Sequence, residues 1–478
     1  MIENTLIRNC LKNQNKIAII CGDTKISYLN LINNISLYSL FLKKKIKKKN
    51  RILLKSKNSI EWVIYYFAIK FANNIPVIIS HLTSLKKTKK IILENKIKYI
   101  IADEKLNFKN ITNLKLIKLN FKNKKIKTKK FLNFNNQYDE ILYTSGTTDA
   151  PKGVVLTKQN SYFIAKMINK IVRLKKKTIE LISIPLSHSF GIGRLKCFAV
   201  NGHTLIINDD PSNFGNFFVL LEKYKVNGFS MVPSGINILK KIGFLNFSKI
   251  AKHLDFIELG SERLNKLSLE WLRKVFKKTT IYYHYGMTEA SRSAFKIYRN
   301  QNKKLSYYKS SPGIKINLVN NNNKFCKKNE TGEIIIKGKS VSCGYVNKKI
   351  MGNKFSKFGY RSGDLAKKIS KNKFELKGRI DKTKKINGVA VNLDEVENYI
   401  NDFPDINNNV CKFIYDNSSK AFKIYSTYYS KKKVQHDKLV KFLSTKIERF
   451  KIPYKFKRIK SLSSILSKKK INFATIQA

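Results

Sequence analysis

Residues 143–154 read Tyr-Thr-Ser-Gly-Thr-Thr-Asp-Ala-Pro-Lys-Gly-Val, and no other stretch constrains the fold as much. Thr144, Ser145, Thr147 and Thr148 place four hydroxyls around Gly146, and Lys152 adds a cation on a Pro-Lys-Gly turn. The short apolar run at residues 140–143 predicts a strand that feeds this loop. Small hydroxyl residues and glycine leave backbone N–H groups open, as a polyphosphate requires. A flexible surface turn is the bland alternative. The Walker pattern is excluded, because Lys152-Gly153 is followed by Val154 and not by Ser or Thr.

Elsewhere, apolar strand-like runs alternate with helical periodicity. Strands are expected at residues 17–20, 51–54, 75–79 and 99–101, with helices at 28–42 and 60–71 between them. This alternation predicts an α/β architecture. The lysine runs 43–49 and 124–130 read as solvated loops. After Tyr298 short strands at 314–318 and 333–337, separated by Asn-rich turns, suggest a small β-rich subdomain. A chain of 478 residues exceeds one ordinary core, so at least two domains are expected.

The formal net charge is +65, from 96 Lys plus Arg against 31 Asp plus Glu. Such a balance ordinarily points to nucleic acid or an anionic membrane. Lys, however, outnumbers Arg about seven to one, whereas base and phosphate recognition favours the bidentate fork of Arg. Phe (30) and Tyr (23) outnumber Gly (21) and Pro (8), the pattern of AT-rich codons. Coding bias thus accounts for the charge, and no specific nucleic-acid partner is expected. The longest apolar run, residues 62–69, is broken by Lys70, Asn73 and Asn74, so no membrane span is expected. The first residues lack the apolar core of a signal peptide, and six scattered cysteines form no Cys-x-x-Cys pair. A cytoplasmic protein with reduced thiols is expected.

Five further segments follow the loop. They are Ile184-Pro-Leu-Ser-His-Ser-Phe-Gly-Ile-Gly193, Glu258-Leu-Gly-Ser-Glu-Arg-Leu264, Tyr285-Gly-Met-Thr-Glu289, Tyr360-Arg-Ser-Gly-Asp364 and Gly378-Arg-Ile-Asp381, with Gly388 and Val391 behind the last. In this order, and with the hydroxyl loop, they resemble the adenylate-forming superfamily, whose members include acyl- and aryl-CoA synthetases, peptide-synthetase adenylation domains and firefly luciferase. That family has Gly where this chain has Asp149; Asp reaches a left-handed turn less easily. The run Thr-Glu-Ala-Ser-Arg at 288–292 looks closer to the acyl-CoA ligases than to amino-acid adenylation domains.

The resemblance implies the chemistry and its residues. A carboxylic acid, with a pKa near ~4, is already a nucleophile at neutral pH. Its attack on the α-phosphate of ATP needs charge neutralisation and positioning, not a general base. By resemblance, Thr144, Ser145, Gly146, Thr147, Thr148 and Lys152 hold phosphates, while Gly260, Ser261 and Glu262 lie along adenine. Tyr285 and Gly286 belong to the same pocket, with the Tyr285 ring on the base and His284 lining it through its backbone. Thr288 bonds a phosphoryl oxygen, and Glu289 is the carboxylate for Mg²⁺. Asp364 and Arg379 bind the ribose, with a turn-capping role as the plain alternative for Asp364. His188 flanks the acid, or is a satisfied core histidine. Near the C-terminus Lys470, with Lys469 as fallback, matches the family's lysine, although Lys469 replaces the usual preceding Gly. Asp381 is the expected hinge.

The implied protein is an α/β ligase with a large N-terminal domain, residues 1–378, of stacked αβ layers plus a small β-rich subdomain. A mobile α+β C-terminal domain, residues 379–478, acts as a lid. Its reaction forms an acyl-AMP and then an acyl thioester, with CoA favoured as acceptor and a carrier-protein phosphopantetheine as alternative. Two other classes stay open: a basic nucleic-acid-binding protein and a catalytically degenerate binding subunit.

Overall fold

The computed structural model describes residues 1–46, 49–114, 137–144, 151–242, 247–262, 264, 266–299, 307–356, 358–386, 389–416 and 421–459. The chain forms two compact units. The first comprises residues 1–263, 272–316 and 336–360, and the second residues 264–271, 317–335 and 361–478.

The first unit contains two α/β sheets. One runs in the order Thr24–Ser27, Ile17–Cys21, Thr204–Ile207, Ile179–Ile182, Gly228–Met231, Phe256–Leu259, Thr280–Met287, Ala290–Tyr298 and Tyr308–Ser310. Its six central strands are parallel, and antiparallel strands extend it at both ends. The other runs Gly344–Tyr345, Lys152–Thr157, Tyr138–Thr144, Ile75–Ile78, Arg51–Lys55, Tyr99–Ala102 and Thr112–Asn113. Its inner strands Ile75–Ile78, Arg51–Lys55 and Tyr99–Ala102 pair in parallel and are largely buried, as parallel strands covered by helices are.

One hydrophobic core joins both sheets. It combines Ile19, Ile182 and Leu205 of the first sheet with Ile52, Leu54 and Ile78 of the second. The helices Tyr28–Lys45, Ile60–Phe71 and Ser189–Asn201 fill it through Leu31, Tyr38, Trp62, Phe67, Leu195 and Phe198. Helix Ile60–Phe71 is buried on nearly every side, which explains why its sequence shows little amphipathic contrast. Ser27 and Ser59 cap their helices by accepting from Asn30 N and Trp62 N. Thr157 and Asn160 form a reciprocal capping box at the start of Lys158–Val172.

The expected strands and helices match observed ones, with ends shifted by no more than three residues, and helix Ile60–Phe71 matches at both ends. One reading is corrected. Lys43, Lys44 and Lys45 are not loop but the last turn of helix Tyr28–Lys45, where cations suit the negative end of the helix dipole. The run 124–130 lies outside the described residues. No helix among the described residues is long and apolar enough to cross a membrane.

In the second unit, Gly359–Ser370 pairs antiparallel with Lys373–Arg379. A three-stranded sheet follows, Ile406–Asp416 antiparallel to Ala421–Ser430, which is parallel to Lys455–Ile459. Helices Leu393–Asn401 and His436–Ser444 cover it through Val396, Ile400, Leu439 and Leu443.

Candidate active site

The strands on either side of the hydroxyl stretch pair antiparallel. Thr144 stands opposite Lys152 and Tyr143 opposite Gly153 in the pairing of Tyr138–Thr144 with Lys152–Thr157. Thr144 and Lys152 are therefore neighbours that close the loop. Ser145, Gly146, Thr147 and Thr148 lie outside the described residues. Gly153 is required here, because a Cβ would fall 2.7 Å from the Tyr143 ring. The Tyr143 hydroxyl donates to Glu94 Oε2 and accepts from Asn95 Nδ2 at 2.5 Å, tying the strand to helix Leu85–Asn95. Burial and Glu94 both push the Tyr143 phenol up, so it stays protonated.

The base of the same strand is held by buried ions. Lys70 Nζ lies 2.6 Å from Asp139 Oδ1 and 3.1 Å from Glu3 Oε1. Lys196 pairs with Glu140, which also accepts from Tyr66 Oη at 2.8 Å. Burial alone would raise the Asp139 carboxyl, but Lys70 and Lys196 prevail and bring it down to about 2.

Thr288 and Glu289 are the two tip residues of a second hairpin, since Met287 pairs with Ala290. A two-residue turn fixes its side chains more tightly than a long loop. Glu289 is buried, and its Oε1 accepts from Tyr345 Oη at 2.6 Å. Its backbone carbonyl accepts from Ser342 N at 2.8 Å. Tyr345 stands 56 residues away, and no local pattern in the sequence marks it. Tyr285 is buried beside Tyr308, with ring centroids 5.9 Å apart. The pairing register shifts between Tyr285 and Met287, around Gly286, where a Cβ would fall 2.5 Å from Arg292 N.

The third constellation is a buried charge cluster. Glu258 lies on strand Phe256–Leu259, with Arg194 Nη1 at 2.9 Å, Arg292 Nε at 3.2 Å and His284 Nδ1 at 2.9 Å. Arg194 also grips Glu180 with Nε at 2.5 Å and Nη2 at 2.7 Å, and His203 Nε2 completes Glu180 at 3.0 Å. Burial would raise Glu258, yet Arg292 and Arg194 hold it well below the usual carboxylate range. Burial lowers the His284 pKa to about 4, with Arg292 and Arg194 adding to the effect against Glu258, so its imidazole is neutral at pH 7. Gly260 follows the strand, and a Cβ there would fall 2.1 Å from the His284 ring. Ser261 adopts a left-handed conformation (φ 68°) and is exposed, as is Glu262. Glu262 Oε2 accepts from Ser234 N at 2.8 Å, and its carbonyl accepts from Tyr283 Oη at 2.8 Å.

His188 is not a core histidine. It is exposed and caps helix Ser189–Asn201, its Nδ1 accepting from Phe190 N at 3.3 Å. Phe190 meets His284 edge to face with centroids 4.6 Å apart, so the His188 segment and the Glu258 strand end adjoin. The residues missed in the sequence are Glu180, Arg194, Arg292, Glu258 as an ion-pair partner, and the side chain of His284. A signal was present for the arginines. In a chain where Lys outnumbers Arg about seven to one, an Arg is the rarer choice and suits a contact that uses its planar fork.

In the second unit Asp364 and Arg379 are directly opposite on paired strands. Arg379 Nη1 donates to Asp364 Oδ1 and to Ser362 O, both at 3.0 Å, and Nε lies 3.3 Å from Asp381 Oδ1. Asp364 N donates to Ser362 Oγ at 3.0 Å. Asp381 is exposed within the short turn Ile380–Lys382. Lys470 and Lys469 lie outside the described residues.

The donor set fits a hard cation carried largely by a nucleotide. Among the described residues no group of three or more His, Cys, Asp or Glu side chains forms a metal cage. Glu289 offers a buried carboxylate with only Oε1 engaged by a described residue. Mg²⁺ is bound in this way, by one or two carboxylates plus phosphate oxygens.

Comparison with known proteins agrees with this layout. D-alanine–D-alanyl carrier protein ligase from Lacticaseibacillus casei (strain BL23) is 29% identical over 273 residues, covering 55% of this chain and 54% of that protein. The chain thus spans about half the length of the curated relatives it matches. Bacitracin synthase 3 from Bacillus licheniformis is 29% identical over 287 residues, 56% of this chain but 4% of that much longer protein. Among solved structures, O-succinylbenzoate coenzyme A synthetase (MenE) from Bacillus subtilis, in complex with ATP and magnesium ion, superposes with a TM-score of 0.85. It covers 96% of each chain at 20% identity. ATP-bound MatB from Rhodopseudomonas palustris gives 0.81 at 17% identity, over 97% of this chain and 96% of its own. These structures share the α/β fold. The AMP-binding enzyme family profile matches residues 6–346, most of the chain and all three constellations of the first unit, so this chain belongs to the AMP-binding enzymes.

Proposed function

We propose that the protein is an ATP-dependent carboxylic acid ligase that forms an acyl adenylate and then transfers the acyl group to a thiol. The observation that carries this reading is Glu289, buried at a two-residue hairpin tip and steadied by Tyr345 through one oxygen. The substrate carboxylate attacks the α-phosphorus of ATP, the bond to the β-phosphate oxygen breaks, and pyrophosphate leaves. Bound Mg²⁺, held by Glu289, would neutralise phosphate charge. Thr144, Ser145, Gly146, Thr147, Thr148 and Lys152 cradle the phosphates, and Thr288 donates to a phosphoryl oxygen. Gly260, Ser261, Glu262, Tyr285, Gly286 and the His284 backbone line adenine, while Asp364 and Arg379 hold the ribose. His188 flanks the acid and Lys470 stabilises the developing charge.

Free CoA is the favoured acceptor, with carrier-protein phosphopantetheine as the second reading. The ligase relative named for D-alanyl carrier protein supports the second, and the CoA-synthetase fold neighbours support the first. The 378/379 boundary, with Asp381 as hinge, is kept as the lid's proposed edge. Six free, scattered cysteines suit a reducing, cytoplasmic location. The test is pyrophosphate release from ATP across acetate, octanoate, benzoate, malonate and D-alanine, followed by thioester formation with CoA or a holo-carrier protein. Acid-dependent pyrophosphate and one thioester are expected. Saturable ATP binding without pyrophosphate release from any acid would instead identify a degenerate binding protein.

A further inference from the structure

Arg292 is fully buried on strand Ala290–Tyr298 and reaches two other segments of the chain. Its Nε donates to Glu258 Oε1 at 3.2 Å, its Nη1 to Ser189 O at 3.0 Å, and its Nη2 to Phe190 O at 2.9 Å. Nη1 also lies 3.1 Å from Ser291 Oγ. The guanidinium carbon stands 4.7 Å from the centroid of the Phe190 ring, a cation–π distance. Phe190 abuts His284, and His284 Nδ1 returns to Glu258 at 2.9 Å. Arg292, Phe190, His284 and Glu258 thus form a closed circuit.

Two independent features mark this circuit as built around the arginine. Gly193 lies one turn into helix Ser189–Asn201, and a Cβ there would fall 2.4 Å from Arg292 Nη1. The backbone of Arg292 is left-handed (φ 48°), an unfavourable conformation for a long side chain. Strain of this kind persists where the surroundings over-determine it, and such places cluster at functional sites. A lysine has three donors but on one nitrogen, so it cannot reach acceptors that here are served by three separate guanidinium nitrogens.

We propose that Arg292 is a positioning residue that locks the helix start bearing His188 to the strand end bearing Gly260–Glu262. It thereby sets the acid half of the site against the nucleotide half. The inference rests on the ligase reading, in which His188 flanks the acid and residues 260–262 flank adenine. Arg292 itself needs no contact with either substrate.

The experiment uses the full chain, with pyrophosphate release read for the best acid among acetate, octanoate, benzoate, malonate and D-alanine. Arg292→Lys and Arg292→Ala are expected to raise KM for the acid about tenfold or more, with KM for ATP changed less than about threefold. Guanidinium ion at low millimolar concentration should restore acid use in Arg292→Ala and leave Arg292→Lys unmoved. Gly193→Ala should lower the melting temperature and acid use in the parent, yet cost little in the Arg292→Ala background, where the guanidinium is gone. Equal rises of both KM values, or additive effects of Gly193→Ala and Arg292→Ala, overturn the proposal while leaving the ligase reading intact. If Arg292→Ala does not fold, the KM split in Arg292→Lys decides. Wild-type protein that releases no pyrophosphate with any acid sinks the ligase reading and this inference together.

Discussion

Tyr345 donates its phenolic O–H to Glu289 Oε1 at 2.6 Å, across a sequence separation of 56 residues. Tyr345 belongs to the short strand Gly344–Tyr345, which pairs with Val154 and Val155 behind the hydroxyl loop. One side chain therefore joins the two hairpins that bear the proposed phosphate and metal ligands. Burial and Glu289 raise the Tyr345 pKa, so the proton stays on the phenol, which donates it to Glu289.

Replacing Tyr345 by Phe removes this donor and leaves Glu289 without its steadying bond. A bond to a charged group contributes about 1.5–3 kcal/mol, so urea unfolding should report a loss near that range. The Mg²⁺ concentration for half-maximal pyrophosphate release should rise about three- to tenfold. An unchanged Mg²⁺ dependence would dissociate Tyr345 from metal binding.

Gly260→Ala puts a methyl 2.1 Å from the His284 ring, which Glu258 and Phe190 hold in place. The neighbour cannot yield cheaply, so the variant should lose about 1–3 kcal/mol of stability. His284→Gly in the same background should recover much of that loss, because the obstructing ring is gone. Additive losses in a thermal-melt comparison would contradict the packing account.

Sequence periodicity carried the α/β layout because each strand and helix announces itself locally. Helix Ile60–Phe71 was legible from end to end, since Ser59 caps it and its apolar run stops at Asn73 and Asn74. The strand entering at Thr144 was legible for the same reason, but the returning strand Lys152–Thr157 was not, because Pro151-Lys152-Gly153 reads as a turn. The charge clusters were not. Arg194 meets Glu258 across 64 residues and Arg292 meets Phe190 across 102, so no spacing rule links them. His284 was read through its backbone because its burial depends on a partner from another strand. The lysine run at 43–45 was misread because a helix end and a solvated loop both favour cations.

Stability should fall on mild acidification. His284 titrates near 6.5 when unfolded and at about 4 when folded, so between these values the unfolded chain binds more protons. The contribution is full above about pH 7 and is lost as pH falls toward 4, for a total of about 3 kcal/mol. His203, which burial also lowers, acts in the same direction. Asp139 and Glu258 are depressed carboxylates whose contribution persists through this window and is lost only below about pH 4. Melting temperatures measured from pH 8 to pH 5 should decline, and His284→Asn should flatten the slope. A slope unchanged in that variant would assign the effect elsewhere.

Lys470→Ala should lower adenylate formation by two to four orders of magnitude, about 3–5.5 kcal/mol of transition-state stabilisation. Lys469→Ala should do little. Single-turnover pyrophosphate release distinguishes them, and the opposite ranking would move the assignment by one residue.

Asp364 offers the sharpest choice between architecture and chemistry. It sits opposite Arg379 on paired strands, and the two side chains form an ion pair at 3.0 Å. The Arg379 side chain is 42% exposed, so screening by water limits the pair to about 0–1 kcal/mol of stability. A purely structural Asp364 would therefore act chiefly through its place opposite Arg379 in the strand pair, and Asp364→Ala would lower the melting temperature without touching nucleotide affinity. A ribose ligand behaves in the opposite way. Asp364→Ala should raise KM for ATP about ten- to a hundredfold, through lost charge-assisted bonds to the sugar hydroxyls. Arg379→Ala should raise it less, and the double variant should fall short of the product of the two effects, because paired groups acting on one sugar are coupled. The check adds 2′-deoxy-ATP as alternative substrate. If Asp364 holds the 2′-hydroxyl, the parent should discriminate against the deoxynucleotide and Asp364→Ala should not. Equal discrimination by both proteins would leave Asp364 as a structural partner of Arg379 in the strand pair.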